Sequence, residues 1–437
     1  MRVIIILFFW TFPFLPFILF LKGGGFMQTL RQDAQAIIDK ALADALPDAA
    51  VRRALAQFHA PEGRLVLIAA GKAAWQMAHA ASAALGEAVT GGAVITKYGH
   101  SQGPIGSLEI YEAGHPVPDN NSYRATARAL ALVGGLRAED TVLFLLSGGG
   151  SALFESPLVP LEELTDITKQ LLACGADIVE MNTLRKRLSA VKGGRFAERC
   201  FPAKVFSIVL SDILGDPLDM IASGPACPDS STCAQALAIV KKYSLRLSDR
   251  ALALLARETP KTLSNIETHI TGSVRQLCAS AEAAARRLGY TPVVLTSCLR
   301  CTARDAGSFL ASIAQSHQDC TSSLAFIAGG ETVVQLTGAG LGGRNQELAL
   351  AAAQEIAGCK DTAVFSFGSD GTDGPTDSAG GYCDGGTRAA LAAKSISIPD
   401  VLRQNDSYHA LQACGGLIVT GPTGTNVNDL SVLLIRR

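Results

Sequence analysis

The chain of 437 residues carries 38 Lys and Arg against 39 Asp and Glu, a net charge of −1. That balance excludes a protein built around a nucleic-acid footprint, which needs a basic excess or stripe. Hydrophobic residues are 48 % and charged residues 18 % of the chain, so most of it is not disordered, and its length suits two or three domains with sizeable cores.

Residues 1–26 stand apart as an apolar leader. Positions 3–21 are almost wholly apolar, with Pro13 and Pro16 among them. The stretch is just long enough to span a bilayer, and Arg2 supplies the positive flank of a signal. No small-x-small cleavage site precedes Met27, and two prolines weaken a spanning helix. At Met27 the composition changes to that of an amphipathic helix over 29–46. Translation starting at Met27 is therefore a third reading beside membrane anchor and cleaved signal, and the residues after Met27 read as cytoplasmic.

Beyond that helix, short apolar runs, glycine-bearing turns and Ala-rich amphipathic stretches alternate. Runs at 65–69, 93–96, 142–146 and 205–210 form a first set; 292–296, 324–328, 332–336, 363–367 and 416–420 form a second, after a polar helical link near 243–265. Continuous apolar runs bounded by turns fit strands buried on both faces, and their alternation with helices argues for a doubly wound α/β architecture. We divide the chain at 27–262 and 263–437. The eleven cysteines are scattered and read as reduced thiols; Cys298-x-x-Cys301 lacks partners at zinc spacing.

In open α/β sheets ligands bind beyond the carboxyl ends of the strands, and the chemistry-bearing motifs lie there. Gly71-Lys72 follows the first run. Ser147-Gly148-Gly149-Gly150-Ser151 follows the third, and successive glycines free backbone N–H groups to form an anion-binding nest, although no Walker A pattern is present. The basic run from Asn182 through Arg185, Lys186, Arg187 and Lys192 to Arg195 would, on one helix, set Arg185, Ser189 and Lys192 near a common face for a carboxylate or phosphates. Ser211-Asp212 with Gly215-Asp216 ends the fourth run; these carboxylates, like Asp370, Asp373 and Asp377, are placed to hold Mg²⁺ or take a proton. Gly338-x-Gly340-x-x-Gly343, after 332–336 and before a helix over 345–356, has the form of a dinucleotide fingerprint, with Arg344 in the helix's first turn. Each motif also has a plainer reading: a tight turn, a solvated lysine, a solvated helix face, a turn-capping aspartate.

Taken in order, Ala70-Gly-Lys-Ala-Ala74, Gly114-His-Pro-Val-Pro-Asp119, Leu146-Ser-Gly-Gly-Gly-Ser-Ala152, Asn182-Thr-Leu-Arg-Lys186, Gly342-Gly-Arg-Asn-Gln-Glu347, Asp370-Gly-Thr-Asp-Gly-Pro-Thr-Asp377 and Thr420-Gly-Pro-Thr-Gly-Thr-Asn-Val-Asn-Asp429 resemble the glycerate 2-kinases of the MOFRL family. Members are often labelled hydroxypyruvate reductase. The resemblance implies ATP- and Mg²⁺-dependent phosphorylation of D-glycerate at its 2-hydroxyl, in tartrate, glyoxylate or serine breakdown. It also implies a larger N-terminal α/β domain, a smaller C-terminal one and an active site in the cleft between them.

On that resemblance Lys72 and Arg344 clamp the transferred phosphoryl. Ser147, Gly148, Gly149, Gly150, Ser151 and Lys192 cradle phosphates, and Asn182, Arg185 and Lys186 hold the substrate. Asp212 takes the hydroxyl proton, and Asp216, Asp370 and Asp373 hold Mg²⁺, the last two roles being exchangeable at this stage. The alternatives are an NAD(P)-dependent hydroxypyruvate reductase, for which His115 would be the general acid, and a non-catalytic anion-binding protein. Otherwise His115 reads as structural. A homo-oligomer is left open.

Overall fold

The computed structural model describes residues 29–437; the leader and the Met27 start lie outside them. Six strands, β1 (Leu65–Ala70), β2 (Val89–Lys97), β3 (Leu108–Ala113), β4 (Thr141–Leu146), β5 (Lys204–Leu210) and β6 (Ile266–Gly272), pair in parallel in the order β3-β2-β1-β4-β5-β6. Six more, β7 (Thr291–Leu299), β8 (Leu324–Gly330), β9 (Thr362–Gly368), β10 (Gly380–Asp384), β11 (Leu417–Ile418) and β12 (Asp429–Ile435), run in the order β11-β10-β9-β12-β8-β7; here only β7–β8 is a parallel pair.

Successive residues of a strand point to opposite faces. Val66, Ile68 and Ala70 of β1 accordingly join one core with Phe144, Phe154 and Phe196, while Leu65, Leu67 and Ala69 join another with Trp75, Met77 and Leu143. The second sheet divides likewise: Ile327 and Phe365 pack on one face, Phe326 and Val364 on the other. Both faces of both sheets are therefore covered, which is what the unbroken apolar runs require.

The strand order of the first sheet reverses direction between β1 and β4. A crevice opens beyond the carboxyl ends of strands at such a point, and the Gly71-Lys72 and Ser147–Ser151 turns flank it.

Four departures from the sequence expectation have physical causes. Residues 332–336 form no strand; Val333 makes only an isolated bridge to Thr302. β3 and β6 are edge strands with half-exposed side chains, so they lack a continuous apolar run. β6 extends the first domain through Gly272, past the expected break at 262. The helix Leu30–Ala45, closed at its start by a Thr29–Gln32 capping box, belongs to the second domain. Its Ala34, Ile37, Ile38 and Ala41 join the core under β8 and β9, and its buried Asp33 takes a hydrogen bond of 2.6 Å from Tyr290 and pairs with Arg436 at 3.1 Å. The second domain thus takes chain from before and after the first. No helix among the described residues is long and apolar enough to cross a membrane.

Candidate active site

The turns after β1 and β4 interlock. Gly71 has φ +130°, and a Cβ there would lie 2.2 Å from Ser147 Oγ, so only glycine permits the approach. Across it Lys72 N–H donates to Gly148 O at 2.8 Å and Ala73 N–H to Ser147 Oγ at 3.1 Å. The Lys72 side chain is thereby carried to the open edge of the sheet, and its Nζ has no hydrogen-bond or ion-pair partner among the described residues.

Asp212, two residues past β5, lies over the same loop. A Cβ on Gly148 would stand 2.3 Å from Asp212 Oδ2, and one on Gly149 would stand 3.0 Å from the His115 ring and 3.2 Å from Lys72 Cγ. Lys72, His115 and Asp212 therefore converge on the glycine loop. A cavity of about 400 Å³ opens there, lined by Lys72, His100, Ser147, Gly148 and Asp212 of the first domain and by Asp370, Thr425 and Asn426 of the second. Burial, reinforced by Glu331, raises the proton affinity of the Asp212 carboxyl, although Lys72 and His115 oppose the shift. Burial and then the Lys72 and Lys97 ammoniums push the His115 imidazole below its ordinary value. The crevice thus holds a carboxylate made more basic and an ammonium without a partner, with an imidazole of lowered proton affinity beside them.

The second domain grips the loop that bears Asp212. Leu214 packs against the core of the second domain, Arg275 reaches Asp216 at 3.8 Å, and Asn428 Nδ2 donates to Asp212 O at 3.4 Å. The cavity is consequently assembled from both domains.

A chain of this construction has relatives of known name. Residues 33–256 match a domain of unknown function, DUF4147, and residues 324–429 match the MOFRL family. A D-glycerate 2-kinase of Thermotoga maritima is 51 % identical over 93 % of this chain and 99 % of its own, and the crystal structure of glycerate kinase from that organism superposes with a TM-score of 0.88 over the same shares. Human glycerate kinase is 33 % identical over 93 % of each chain. The chain belongs to the glycerate kinase family. A relative from Agrobacterium vitis that carries a hydroxypyruvate reductase name is 39 % identical over 93 % of this chain and 94 % of its own.

Several residues expected at the glycerate kinase site are elsewhere. The helix of the basic run, Ile178–Arg187, stops at Arg187, so Ser189 and Lys192 do not share its face with Arg185. Lys186 is buried, with Nζ 3.1 Å from Asp219 and 2.9 Å from Asp229. Lys192 is fully buried; its Nζ donates to Ser151 O at 2.9 Å and Phe154 O at 3.3 Å and lies 3.5 Å from Glu155. It braces the glycine loop from beneath and has no exposed face for a phosphate. Asn182 is buried and accepts from Ser223 Oγ at 2.9 Å. Of the run only the half-exposed Arg185 has no such partner among the described residues.

The glycine loop is also divided. Ser147 and Gly148 line the cavity, whereas Gly150 packs against Ala222, where a Cβ would lie 2.8 Å from the Ala222 methyl. The helix that follows, Gly150–Leu153, has only four residues and contributes little dipole.

Of the three aspartates expected to hold Mg²⁺, Asp370 alone lines the cavity, while its Oδ1 accepts from Thr372 N–H at 3.0 Å. Asp373 is instead the cap of the helix Arg344–Glu355: its two oxygens accept from Asn345 N–H at 3.1 Å and Gln346 N–H at 2.8 Å. Asp216 faces Arg275 rather than the cavity. No group of three or more His, Cys, Asp or Glu placed for a metal occurs among the described residues. Mg²⁺ commonly uses one or two carboxylates together with substrate phosphates, a demand that Asp370 across from Asp212 fits and the capped Asp373 does not.

Arg344 is no free clamp either. Its Nε and Nη2 hold Asp429 at 2.5 and 3.0 Å, and its Nη1 holds Glu331 at 2.9 Å. The glycines before it are not a Rossmann turn, since no strand precedes them. They allow close packing: a Cβ on Gly338 would lie 2.4 Å from Gln404 Cα, and one on Gly343 2.2 Å from Asp373 Cγ. His115, read from the sequence as structural or as the general acid of a reductase, lies with its ring beside Gly149, next to the Lys72 side chain.

Proposed function

We propose that the protein transfers the γ-phosphoryl group of ATP to the 2-hydroxyl of D-glycerate, giving 2-phosphoglycerate and ADP. The observation that carries this reading is the meeting of Lys72, Gly148 and Asp212 in one crevice at the switch point of the parallel sheet. Phosphoryl transfer asks a protein for positioning and charge neutralisation rather than covalent catalysis, and these groups supply both. Asp212, made more basic by burial, accepts the proton of the 2-hydroxyl as its oxygen bonds to phosphorus and the bond from phosphorus to the β-phosphate oxygen breaks. Lys72 neutralises charge on the equatorial oxygens, and the N–H groups of the glycine loop add dipoles on the same side. Arg185 is the candidate partner of the glycerate carboxylate. Asp370 is the carboxylate that would hold Mg²⁺, which would supply charge neutralisation to the phosphates when bound.

All eleven cysteines are unpaired, which supports a reducing, cytoplasmic setting. The reductase reading rests on the name carried by some relatives. It needs a dinucleotide turn between strand and helix, and the Gly338–Gly340–Gly343 loop has no strand before it. Release of ADP with D-glycerate, followed beside NADH oxidation with hydroxypyruvate, tests the proposal: the first is expected to proceed and the second not. NADH oxidation without ADP release would replace the kinase reading with the reductase one.

A further inference from the structure

A second cavity, of about 620 Å³, opens along the loop that runs from Glu331 to Arg344. Three independent features of its wall point to a ligand. Thr332 is 4 % exposed, yet its Oγ1 has no hydrogen-bond partner; a buried hydroxyl left unsatisfied is unfavourable unless a bound molecule completes it. Val333 and Leu336 are 60 % and 80 % exposed, apolar side chains that line a hollow instead of a core. Arg344 stands at the rim and holds Asp429, whose neighbour Asn428 donates to Asp212 O at 3.4 Å, so this cavity adjoins the Lys72 cleft through Asn428 and Asp429. The wall is closely packed, since added Cβ atoms on Gly340 and Gly342 would lie 2.5 Å from Asp406 Cβ and 2.2 Å from Ser407 Oγ.

A kinase must hold two molecules in line. The 400 Å³ cleft is near the lower end of the roughly 300–1,000 Å³ that one ligand occupies. A neighbouring slot that is apolar outside and ends inward on a guanidinium suits a flat base followed by phosphates. We propose that the second cavity takes the adenosine part of the phosphoryl donor, with Val333 and Leu336 against the base, Thr332 Oγ1 completing a hydrogen bond to the nucleoside, and Arg344 exchanging Glu331 for a phosphate. The proposal rests on the ATP-donor reading above.

Leu336→Asp and Thr332→Val test it, with Leu172→Asp as control, since Leu172 is also strongly exposed (62 %) but lines neither cavity. ADP binding is measured by calorimetry with NADH as competitor, alongside KM for ATP and for D-glycerate, with circular dichroism to verify folding. Leu336→Asp should weaken ADP and raise KM for ATP about ten-fold or more, from the lost apolar contact and the new charge near phosphates. Thr332→Val should have a smaller effect of the same sign, while KM for D-glycerate and the control stay unchanged. Wild-type affinity for ADP in both folded variants would overturn the proposal, as would NADH displacing ADP from the wild-type protein. If D-glycerate is phosphorylated while both variants bind ADP normally, the inference fails and the kinase reading stands. If ADP binding is lost in Leu336→Asp but D-glycerate is not a substrate, the donor cavity stands and the acceptor is another molecule.

Discussion

Lys72 and Lys186 both precede or accompany motifs shared with the glycerate kinases, and both read as anion-binding in the sequence, yet their surroundings are opposite. Lys72 stands beyond the carboxyl end of β1, half-exposed, with its ammonium facing a cavity. Lys186 lies on the helix Ile178–Arg187, is 2 % exposed, and meets two carboxylates. The difference is one of topology: a charge at the mouth of a central parallel strand is held where the backbone cannot satisfy it, while a charge on a packed helix must be neutralised or it destabilises the fold. Density of positive charge in the sequence does not separate these cases; position relative to strand ends does.

The sharpest test of the contrast is to remove each lysine. Lys72→Ala should lower kcat roughly 10²–10³-fold, as loss of one preorganised transition-state contact does, and leave the melting temperature almost unmoved. A folded Lys72→Ala enzyme with near-normal kcat would show that this ammonium is not at the reacting group. Lys186→Met should do the reverse. It leaves buried Asp229 with Arg187, at 3.6 Å, as its ion-pair partner beside the Thr259 and Ser231 hydroxyls, and breaking a buried pair costs roughly 3–5 kcal/mol. Urea unfolding should report that loss while kcat per folded molecule stays close to wild type. A collapse of kcat with unchanged stability would return Lys186 to the substrate site.

The same distinction explains what could be read from the chain. β1, β4 and β5 were legible because both their faces are buried, so no polar alternation interrupts the apolar run. The turns after them were legible because Gly71 and Gly148 leave room that no other residue would. β3 and β6 were not legible, because an edge strand keeps half its side chains in water. Asp212 stood out in the sequence for its place at a strand end, and the structure sets it in the lining of the cavity. The role of Asp373, similar in local sequence, depends on the helix Arg344–Glu355 folding back onto it from a distant part of the chain. His115 read mainly as structural because its neighbours, Lys72 and Gly149, come from two other strand ends.

The pH dependence sharpens the contrast within the cleft. Asp212 acts as a base only when unprotonated, and burial lifts its proton affinity above the ordinary carboxylate value of 3.8. The rate kcat/KM should therefore rise with pH on a limb displaced upward from 3.8, about ten-fold per unit below its midpoint. Glu331→Gln removes a negative neighbour that favours the protonated form, so the limb should move to lower pH. An unmoved limb in a folded Glu331→Gln enzyme would mean that another group is the titrating base.

The smallest expected effect separates a capping aspartate from a metal ligand. Asp373 is 2 % exposed, and burial pushes its carboxyl up to about 6, with Asp429 adding to the shift and the Asn345 and Gln346 N–H groups opposing it. A carboxyl raised in the fold favours the protonated state there. Its contribution to stability is thus full below the ordinary 3.8 and is lost as pH rises through about 6. Asp373→Asn keeps an oxygen acceptor for the helix N–H groups, and Asn and Asp are near-equal caps, whereas Ala forfeits the cap at about 0.5–2 kcal/mol. The expected result is a stability order of Asn close to wild type and Ala below both at neutral pH, with the decline between pH 4 and 6 absent from the Asn protein. Its kcat at saturating ATP and Mg²⁺ should be near normal. A metal ligand would behave otherwise: replacing a charged oxygen donor by an amide would raise the Mg²⁺ requirement steeply, and a stable Asp373→Asn protein needing far more Mg²⁺ would move this residue from the scaffold back into the site.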